Sequence, residues 1–358
     1  MKVSYAEEIL YGNFIRYEKM YQLTKYALYS TKSSVADIYI DMNSLLRILY
    51  RYDDLLYRSE IHSDIASSMI NLVAHIRNYF WTRHRVFTNV FIVYGDNFPK
   101  EPRQINPSYN QTSYSEYVSK FSVTDKIKQN IEIMDVLIPY IDSVYFVHVP
   151  EVETAVLIKS IIDKRCLNPK HSGTPSVVFT KDPYCYQLVA MEPLTFIYRP
   201  KKRGQDDLSW VVTKTLLFDS YAAETGKIRG VENGKIHHEL FSLVLAMNGL
   251  KARNIKGVMQ FSTAIKVISQ ALDEMLITPG YNVAFEMALN SIMKVSQEKM
   301  DIIKNNFCSL DLNIQHNAFF YSPSNNIDKF IIDLHDPETL KEINTQYFFH
   351  NPLDLMSL

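Results

Sequence analysis

Three features are scarce or missing in this sequence: paired cysteines, long apolar runs and an excess of charge of one sign. The three cysteines lie far apart without CxxC spacing, so the sequence predicts neither a zinc site nor a disulfide framework. No stretch reaches the roughly 18 apolar residues of a membrane span, and the first residues lack the apolar core of a signal peptide. These absences predict a soluble protein that resides in the reducing cytoplasm and has no membrane partner.

The formal net charge is only −1, so any contact with nucleic acid must be local and not driven by a global basic field. Glycine is also scarce, with 10 residues against 24 tyrosines, and this composition suggests an AT-rich coding genome such as that of a phage or other virus. A hydrophobic fraction of 47 % in 358 residues allows enough apolar burial to offset the ordering entropy. We therefore expect a folded chain with a large core.

Apolar strand-like runs alternate with helical patterns over residues 35–199. The first run, VADIYID, is followed at once by the helical pattern MNSLLRILYRYDDLLY. This alternation is typical of an α/β fold with a parallel central sheet flanked by helices. The predicted strands cover residues 35–41, 89–95, 143–149, 176–180 and 195–199, and the later predicted helices cover about 62–84, 123–140, 151–164 and 183–190.

The pattern divides the chain into four predicted parts. An N-terminal extension, 1–34, packs on the core, and an α/β domain covers 35–235. A helical region, 236–308, contains FSTAIKVISQALDEM and NVAFEMALNSIMKVSQEKM, which carry apolar residues at helical spacing. Residues 309–358 form a C-terminal tail.

Acidic residues follow each of the first four predicted strands. In a parallel sheet the carboxyl ends of the strands share one edge, where ligand sites lie. A single acid there is commonly a helix cap or a solvated loop residue. A cluster is different, because carboxylates repel one another and persist most easily around a hard divalent cation such as Mg²⁺ or Mn²⁺. The candidate catalytic and metal-binding residues are Asp41, Asp96, Glu151, Glu153 and Asp182.

Five ordered segments, covering roughly residues 35–275, resemble the 5′-3′ exonuclease and flap endonuclease family, whose members have a FEN-like, PIN-like fold. The first segment is the strand VADIYID, and the second, VYGDNFPKEPRQINPSYN, resembles the signature in which an aspartate after the second strand is followed by an Arg and a Pro-x-Tyr. VPEVETAVLIKSII resembles the Glu-x-Asp helix start, and FTKDPYCYQLV resembles the Ser-x-Asp-x-Asp segment. LVLAMNGLKARNIKGVMQFSTAIKVI resembles the helix-hairpin-helix segment that grips duplex DNA.

The resemblance implies a metal-dependent nuclease of structured DNA. The five candidate acids would bind a first metal ion, directly or through water, and this ion would lower the pKa of the attacking water while a second ion steadies the leaving oxygen. A basic run at residues 201–203 would either touch a phosphate backbone or form a solvated turn. The nucleic-acid-binding candidates are Arg103, Asn254, Lys256, Gly257, Lys201, Lys202 and Arg203.

The sequence departs from the family at the second metal site. The positions that match its acids hold Tyr184, Thr154, Leu250 and Arg253. Apolar and cationic groups cannot hold Mg²⁺, and Arg253 would repel it. The loop positions that match a phosphate-contacting Lys and Arg hold Asn110 and Ser113, and two hairpin glycines are replaced by Gln260 and Ser262.

We therefore interpret the chain as a divergent viral or phage member with a degenerate active site, a pseudoenzyme that binds nucleic acid or partner proteins with little or no phosphodiesterase activity. The first alternative is an active, altered nuclease with one Mg²⁺ or Mn²⁺ at Asp41, Asp96, Glu153 and Asp182. The second is a structural or assembly component of a viral particle or of a replication or transcription complex. The apolar final peptide, 351–358, either docks on a protein partner or packs on its own domain.

Overall fold

The computed structural model describes residues 17–45, 64–95, 124–149, 152–180, 182–188, 195–198, 240–250, 253–274, 289, 290, 292 and 294–312. None of the helices in these stretches is both long and apolar enough to cross a membrane. The elements are α1 Tyr17–Thr31, β1 Val35–Asp41, α2 Asp64–His84, β2 Phe87–Gly95, α3 Thr124–Leu137, β3 Val144–Val149, α4 Thr154–Leu167, β4 Ser176–Phe179, β5 Thr195–Tyr198, α5 Phe241–Asn248, β6 Gly249–Leu250, β7 Ile255–Lys256, α6 Phe261–Asp273 and α7 Gln297–Leu310. Two 3₁₀ turns, Ile138–Tyr140 and Pro183–Leu188, follow α3 and β4.

Five strands form one parallel sheet in the order β3-β2-β1-β4-β5. The predicted α/β fold class, with a parallel central sheet flanked by helices, is therefore confirmed. The strand order reverses at β1, because β2 and β3 lie on one side of it while β4 and β5 lie on the other. In sheets of this kind a crevice for ligands opens at the reversal, outside the carboxyl ends of the strands. Here that crevice lies between the ends of β1 and β4.

Successive side chains of β1 point to opposite faces of the sheet. Ile38 and Ile40 pack against α1, α2 and α3 on one face. Tyr39 packs on the other face with α4, α5, α6 and α7. Both faces are covered, which explains why the strands read as nearly continuous apolar runs. Asp41, two residues after Tyr39, points to the layer that contains α4 to α7.

The short helix predicted around 183–190 is the 3₁₀ turn Pro183–Leu188, and two other predicted helices also differ from the observed ones. The helix predicted over 151–164 begins at Thr154 and ends at Leu167, because Glu153 has extended backbone angles (φ −74°, ψ 143°) and takes the N-cap position. The helical pattern predicted over 282–300 is interrupted at 294–296, where Lys294 has φ 48° and Ser296 is an extended N-cap of α7. In both places the apolar spacing continues across a residue that starts a new helix.

A short antiparallel hairpin of β6 and β7 joins α5 to α6. Its backbone approaches closely, since a Cβ atom on Gly257 would lie 1.9 Å from the carbonyl carbon of Asn248. From α7, Asn306 Nδ2 donates to the carbonyl oxygens of Ala246 (2.9 Å) and Lys256 (2.8 Å). The hairpin is thus tied to both α5 and α7, and its predicted helix-hairpin-helix role in gripping DNA stays a prediction.

Candidate functional site

Asp41 is the last residue of β1 and is buried. Its Oδ1 accepts a hydrogen bond from Ser44 N (3.1 Å), and its Oδ2 accepts bonds from Ser44 Oγ and from Thr180 Oγ1 (2.7 Å). Burial raises the pKa of Asp41 above that of an ordinary aspartate; the hydrogen bonds from Ser44 and Thr180 oppose this shift, and nearby Asp182 adds to it. Asp41 is therefore a buried cap of the helical turn that follows β1.

Glu153 lies directly before α4 and is also buried. The start of α4 is fixed by Thr154, whose Oγ1 accepts hydrogen bonds from Gly95 N (2.9 Å) and from Asn43 Nδ2 (2.9 Å). Asn43 Nδ2 also donates to Gly95 O (3.0 Å). Thr154 thus joins the carboxyl ends of β1 and β2 to the helix, and this arrangement holds Glu153 at the sheet edge.

Asp182 follows β4 and is linked to Asp41 through the hydroxyl group of Thr180. Thr180 Oγ1 donates to Asp41 and accepts from Asp182 N (3.0 Å). Asp182 Oδ1 accepts from Tyr184 N (3.0 Å) and so caps the 3₁₀ turn Pro183–Leu188. The ends of β1 and β4 are therefore linked at the strand-order reversal.

A cation from a distant part of the chain lies between two of these acids. Arg253, in the turn between β6 and β7, is 5 % exposed. Its Nε donates to Glu153 Oε1, and its Nη2 donates to Asp182 Oδ2, giving two ion pairs. The guanidinium carbon lies 5.3 Å from the centre of the Tyr184 ring, within the range of a cation–π contact. One buried arginine therefore pairs two of the three described site carboxylates.

The other positions that match the family's second-site acids serve the core. Tyr184 is fully buried, and Leu250 is 8 % exposed. Both belong to the apolar cluster on the α4 to α7 face of the sheet. Together with Thr154, these side chains pack or form structural hydrogen bonds, and none of the three offers an anionic oxygen atom.

The described residues do not fit a divalent cation. In the part of the chain that the structure describes, no three His, Cys, Asp or Glu side chains are grouped so that they could hold a metal ion. Glu153 and Asp182 direct oxygen atoms at the guanidinium of Arg253, a cation that cannot act as a ligand. The cleft that these groups line has a volume of about 10 Å³, about that of a single water site, whereas Mg²⁺ usually keeps several waters.

Of the five predicted metal-binding acids, the structure brings three together. Asp41, Glu153 and Asp182 line one cleft with Arg253. Asp96 and Glu151 lie outside the described residues. The assignment of all five as ligands stays a prediction.

Some of the predicted nucleic-acid contacts also lie within the described residues, and others lie outside them. Asn254, Lys256 and Gly257 lie in or beside the β6–β7 hairpin; Lys256 and Gly257 are exposed, and Asn254 is half-buried with φ 55°. The remaining candidates, Arg103 and Lys201, Lys202 and Arg203, lie outside the described residues.

Sequence reasoning missed the residues that organise the site. Ser44, Thr180 and Asn43 carry its hydrogen bonds, and a signal was available for Ser44, since a cap commonly bonds the backbone N–H three residues later. The sequence indicated that Arg253 would repel a metal, but gave no sign that it pairs with Glu153, which lies 100 residues away, or with Asp182, 71 residues away.

The solved structures that resemble this chain include phage 5′-nucleases. A structure described as bacteriophage T5 D15 protein co-crystallised with metal ions has a TM-score of 0.49 and 12 % identity, over 87 % of this chain and 98 % of that one. The T5 D15 flap endonuclease in a pseudo-enzyme–product complex with DNA and metal ions has a TM-score of 0.48 and 12 % identity, with the same coverage. The T5 5′-exonuclease with bound zinc has a TM-score of 0.49 and 14 % identity, over 88 % and 98 %. No family model and no curated protein matches the chain.

Proposed function

We propose that this protein binds nucleic acid on a nuclease-like scaffold and has little or no phosphodiesterase activity of its own. Its fold provides the strand-end crevice in which such enzymes hold their metals, and five segments of its sequence resemble the 5′-3′ exonuclease and flap endonuclease family. The proposed substrate class is structured DNA, such as a junction of duplex and single strand. We also propose that residues 351–358 bind a protein partner.

One observation supports the proposed lack of cleavage: Arg253 pairs with both Glu153 and Asp182. Two-metal hydrolysis needs carboxylates that are free to bind ions, and it needs ions that activate water and neutralise the leaving oxygen. Here two of the carboxylates share the single positive charge of Arg253, a side chain of the same chain. A guanidinium bound in this way does not lower the pKa of a water as a metal ion does.

Binding is supported by the exposed hairpin next to this cleft. Lys256 and Gly257 are exposed, so a phosphate group has access to the cationic side chain of Lys256. Arg253 belongs to the same hairpin, which places the exposed residues beside the carboxyl edge of the sheet. A local contact of this kind agrees with the near-neutral charge of the whole chain.

The proposal also assigns roles to residues that lie outside the described ranges. In this proposal Asp96 and Glu151 act with the other acids, and Arg103 and the basic run 201–203 contact phosphates. The α/β domain, 35–235, and the helical region, 236–308, form the nuclease-like unit, with an extension at each end. We place the protein in the cytoplasm, that of the host if the source is a virus.

Incubation with a labelled 5′-flap DNA tests the proposal, with binding and cleavage measured on the same samples. We expect saturable binding at 50 mM salt, and in 10 mM Mg²⁺ or Mn²⁺ cleavage at least about 10³-fold slower than that of an active flap endonuclease, because each lost charge-stabilising group typically costs orders of magnitude in rate. Metal-dependent cleavage that is abolished by Asp96→Asn would overturn it in favour of an active one-metal nuclease. Absence of DNA binding at low salt, together with a stoichiometric protein complex, would favour a structural or assembly role.

A further inference from the structure

Buried carboxylates at the sheet edge need a counter-charge. Asp41 is 2 % exposed, and the side chains of Glu153 and Asp182 are 5 % and 11 % exposed. Burying an ionised carboxylate is costly unless it is paired and hydrogen-bonded. A fold that keeps Glu153 and Asp182 ionised therefore requires a cation close to them, whether or not it carries out any chemistry.

Arg253 meets this requirement from within the chain. Its planar guanidinium carries several donors in a fixed fork, which allows one side chain to pair with two carboxylates at the same time. The Tyr184 ring, 5.3 Å from the guanidinium carbon, stands where the family pattern has an acid. Arg253 and Tyr184 stand at two positions where the family pattern has metal ligands, and here the two side chains contact each other.

The position of Arg253 also links two parts of the fold. It lies in the turn that joins β6 to β7. The next residue, Asn254, has φ 55°, and this conformation reverses the backbone so that Ile255 pairs with Leu250. Its partner Glu153 precedes α4, while its partner Asp182 follows β4. The two ion pairs therefore join the hairpin to the carboxyl edge of the sheet.

We infer that Arg253 replaces a metal ion as the counter-charge of Glu153 and Asp182, and that it fastens the β6–β7 hairpin to the sheet without any metal. The inference deepens the proposed function at the same site and rests on it, because it requires that no ion takes this position. It is tested on the stability of the free protein, so that results on DNA binding and cleavage do not decide it.

The experiment compares the melting temperatures of the wild type, Arg253→Met, Arg253→Lys and the control Lys299→Met, each in EDTA and in Mn²⁺. Methionine keeps apolar bulk but removes the charge, and lysine keeps the charge but removes the fork. Lys299 is an exposed cation on α7. The full chain is used throughout, and a fifth protein, the triple variant Glu153→Gln/Asp182→Asn/Arg253→Met, removes the acids together with their counter-charge.

We expect Arg253→Met to melt about 5–10 °C below the wild type in EDTA, since breaking a buried ion pair leaves uncompensated charge. Arg253→Lys should lie in between, Lys299→Met should match the wild type, and the triple variant should recover most of the loss. Mn²⁺ should raise the melting temperature of Arg253→Met by several degrees through binding linkage and leave the wild type unchanged. If Arg253→Met does not fold, Arg253→Lys and the triple variant decide.

Three results would overturn the inference. The first is a rise of the wild-type melting temperature in Mn²⁺ as large as that of Arg253→Met. The second is equal melting temperatures for Arg253→Met and Lys299→Met. The third is a triple variant no more stable than Arg253→Met, which would assign Arg253 a packing role without charge compensation.

Discussion

Two of the strand-end acids act as caps as well as charges. Asp41 accepts from Ser44 N, and Asp182 accepts from Tyr184 N. A cap of this kind contributes about 1 kcal/mol to stability, independently of any metal. This gives a physical reason for acids to persist at a carboxyl edge whether or not it binds metal ions, and it shows that a row of acids after strands is not by itself a sign of catalysis.

Asp41 leads to a prediction about pH. Its folded-state pKa is raised, chiefly by burial, so its contribution to stability is fully present below the unfolded-state pKa and is lost as the pH rises through the folded-state pKa. At pH 7 the buried carboxylate is therefore unfavourable. Asp41→Asn should raise the free energy of unfolding at pH 7 by on the order of 1 kcal/mol, and this gain should vanish near pH 3.

Calorimetry of Asp41→Asn between pH 3 and pH 8, with Glu298→Gln as an exposed control, measures this difference. The control should change stability by less than about 0.5 kcal/mol at every pH. A loss of stability in Asp41→Asn at pH 7 would contradict the account, because that is the behaviour of a carboxylate that holds a bound cation.

At the scale of elements, the strands were the most predictable part. The strand predicted at 35–41 is observed at Val35–Asp41, because a strand buried on both faces appears as one apolar run. The start of α4 was predicted three residues early, since the sequence does not show that Glu153 is extended. The contact between Arg253 and the acids could not be predicted, because it depends on how the hairpin packs on the sheet, and no local pattern encodes that packing.

The end of β2 packs against the start of α4 without space for a side chain. A Cβ atom on Gly95 would lie 2.2 Å from Thr154 N and 2.6 Å from the carbonyl carbon of Glu153. Gly95→Ala must therefore displace α4, which carries Glu153. We predict a loss of about 1–3 kcal/mol in the free energy of unfolding, measured by urea denaturation.

Gly173→Ala is the matched control, because its Cβ atom would meet nothing closer than a Thr31 side-chain carbon at 3.9 Å. This control should change stability by no more than about 0.5 kcal/mol. Equal effects of the two substitutions would show that the tight junction of β2 and α4 does not exist as described.

For the whole molecule, the near-neutral charge means that the proposed DNA binding must depend on a few local cations. Lys256→Glu on the hairpin should weaken binding of a 5′-flap DNA about tenfold at 50 mM salt, and it should reduce the slope of log K against log salt by about 1 or more. Lys299→Glu on α7 makes the same change of net charge at another exposed position. Fluorescence anisotropy at several salt concentrations compares the two.

A specific contact at the hairpin requires that Lys256→Glu weakens binding well beyond Lys299→Glu. Equal weakening by both variants would mean that only the overall charge matters. In that case the hairpin would lose its proposed role, while the assignment of Arg253 as counter-charge would stand on its own test.

The most direct measurement of the central claim is a crystal structure of the full chain soaked in Mn²⁺, with anomalous scattering used to locate the ion. The account predicts no manganese peak between Glu153 and Asp182, and Arg253 in contact with both. A strong manganese peak within bonding distance of Asp41, Glu153 and Asp182, with Arg253 displaced from the cleft, would contradict it.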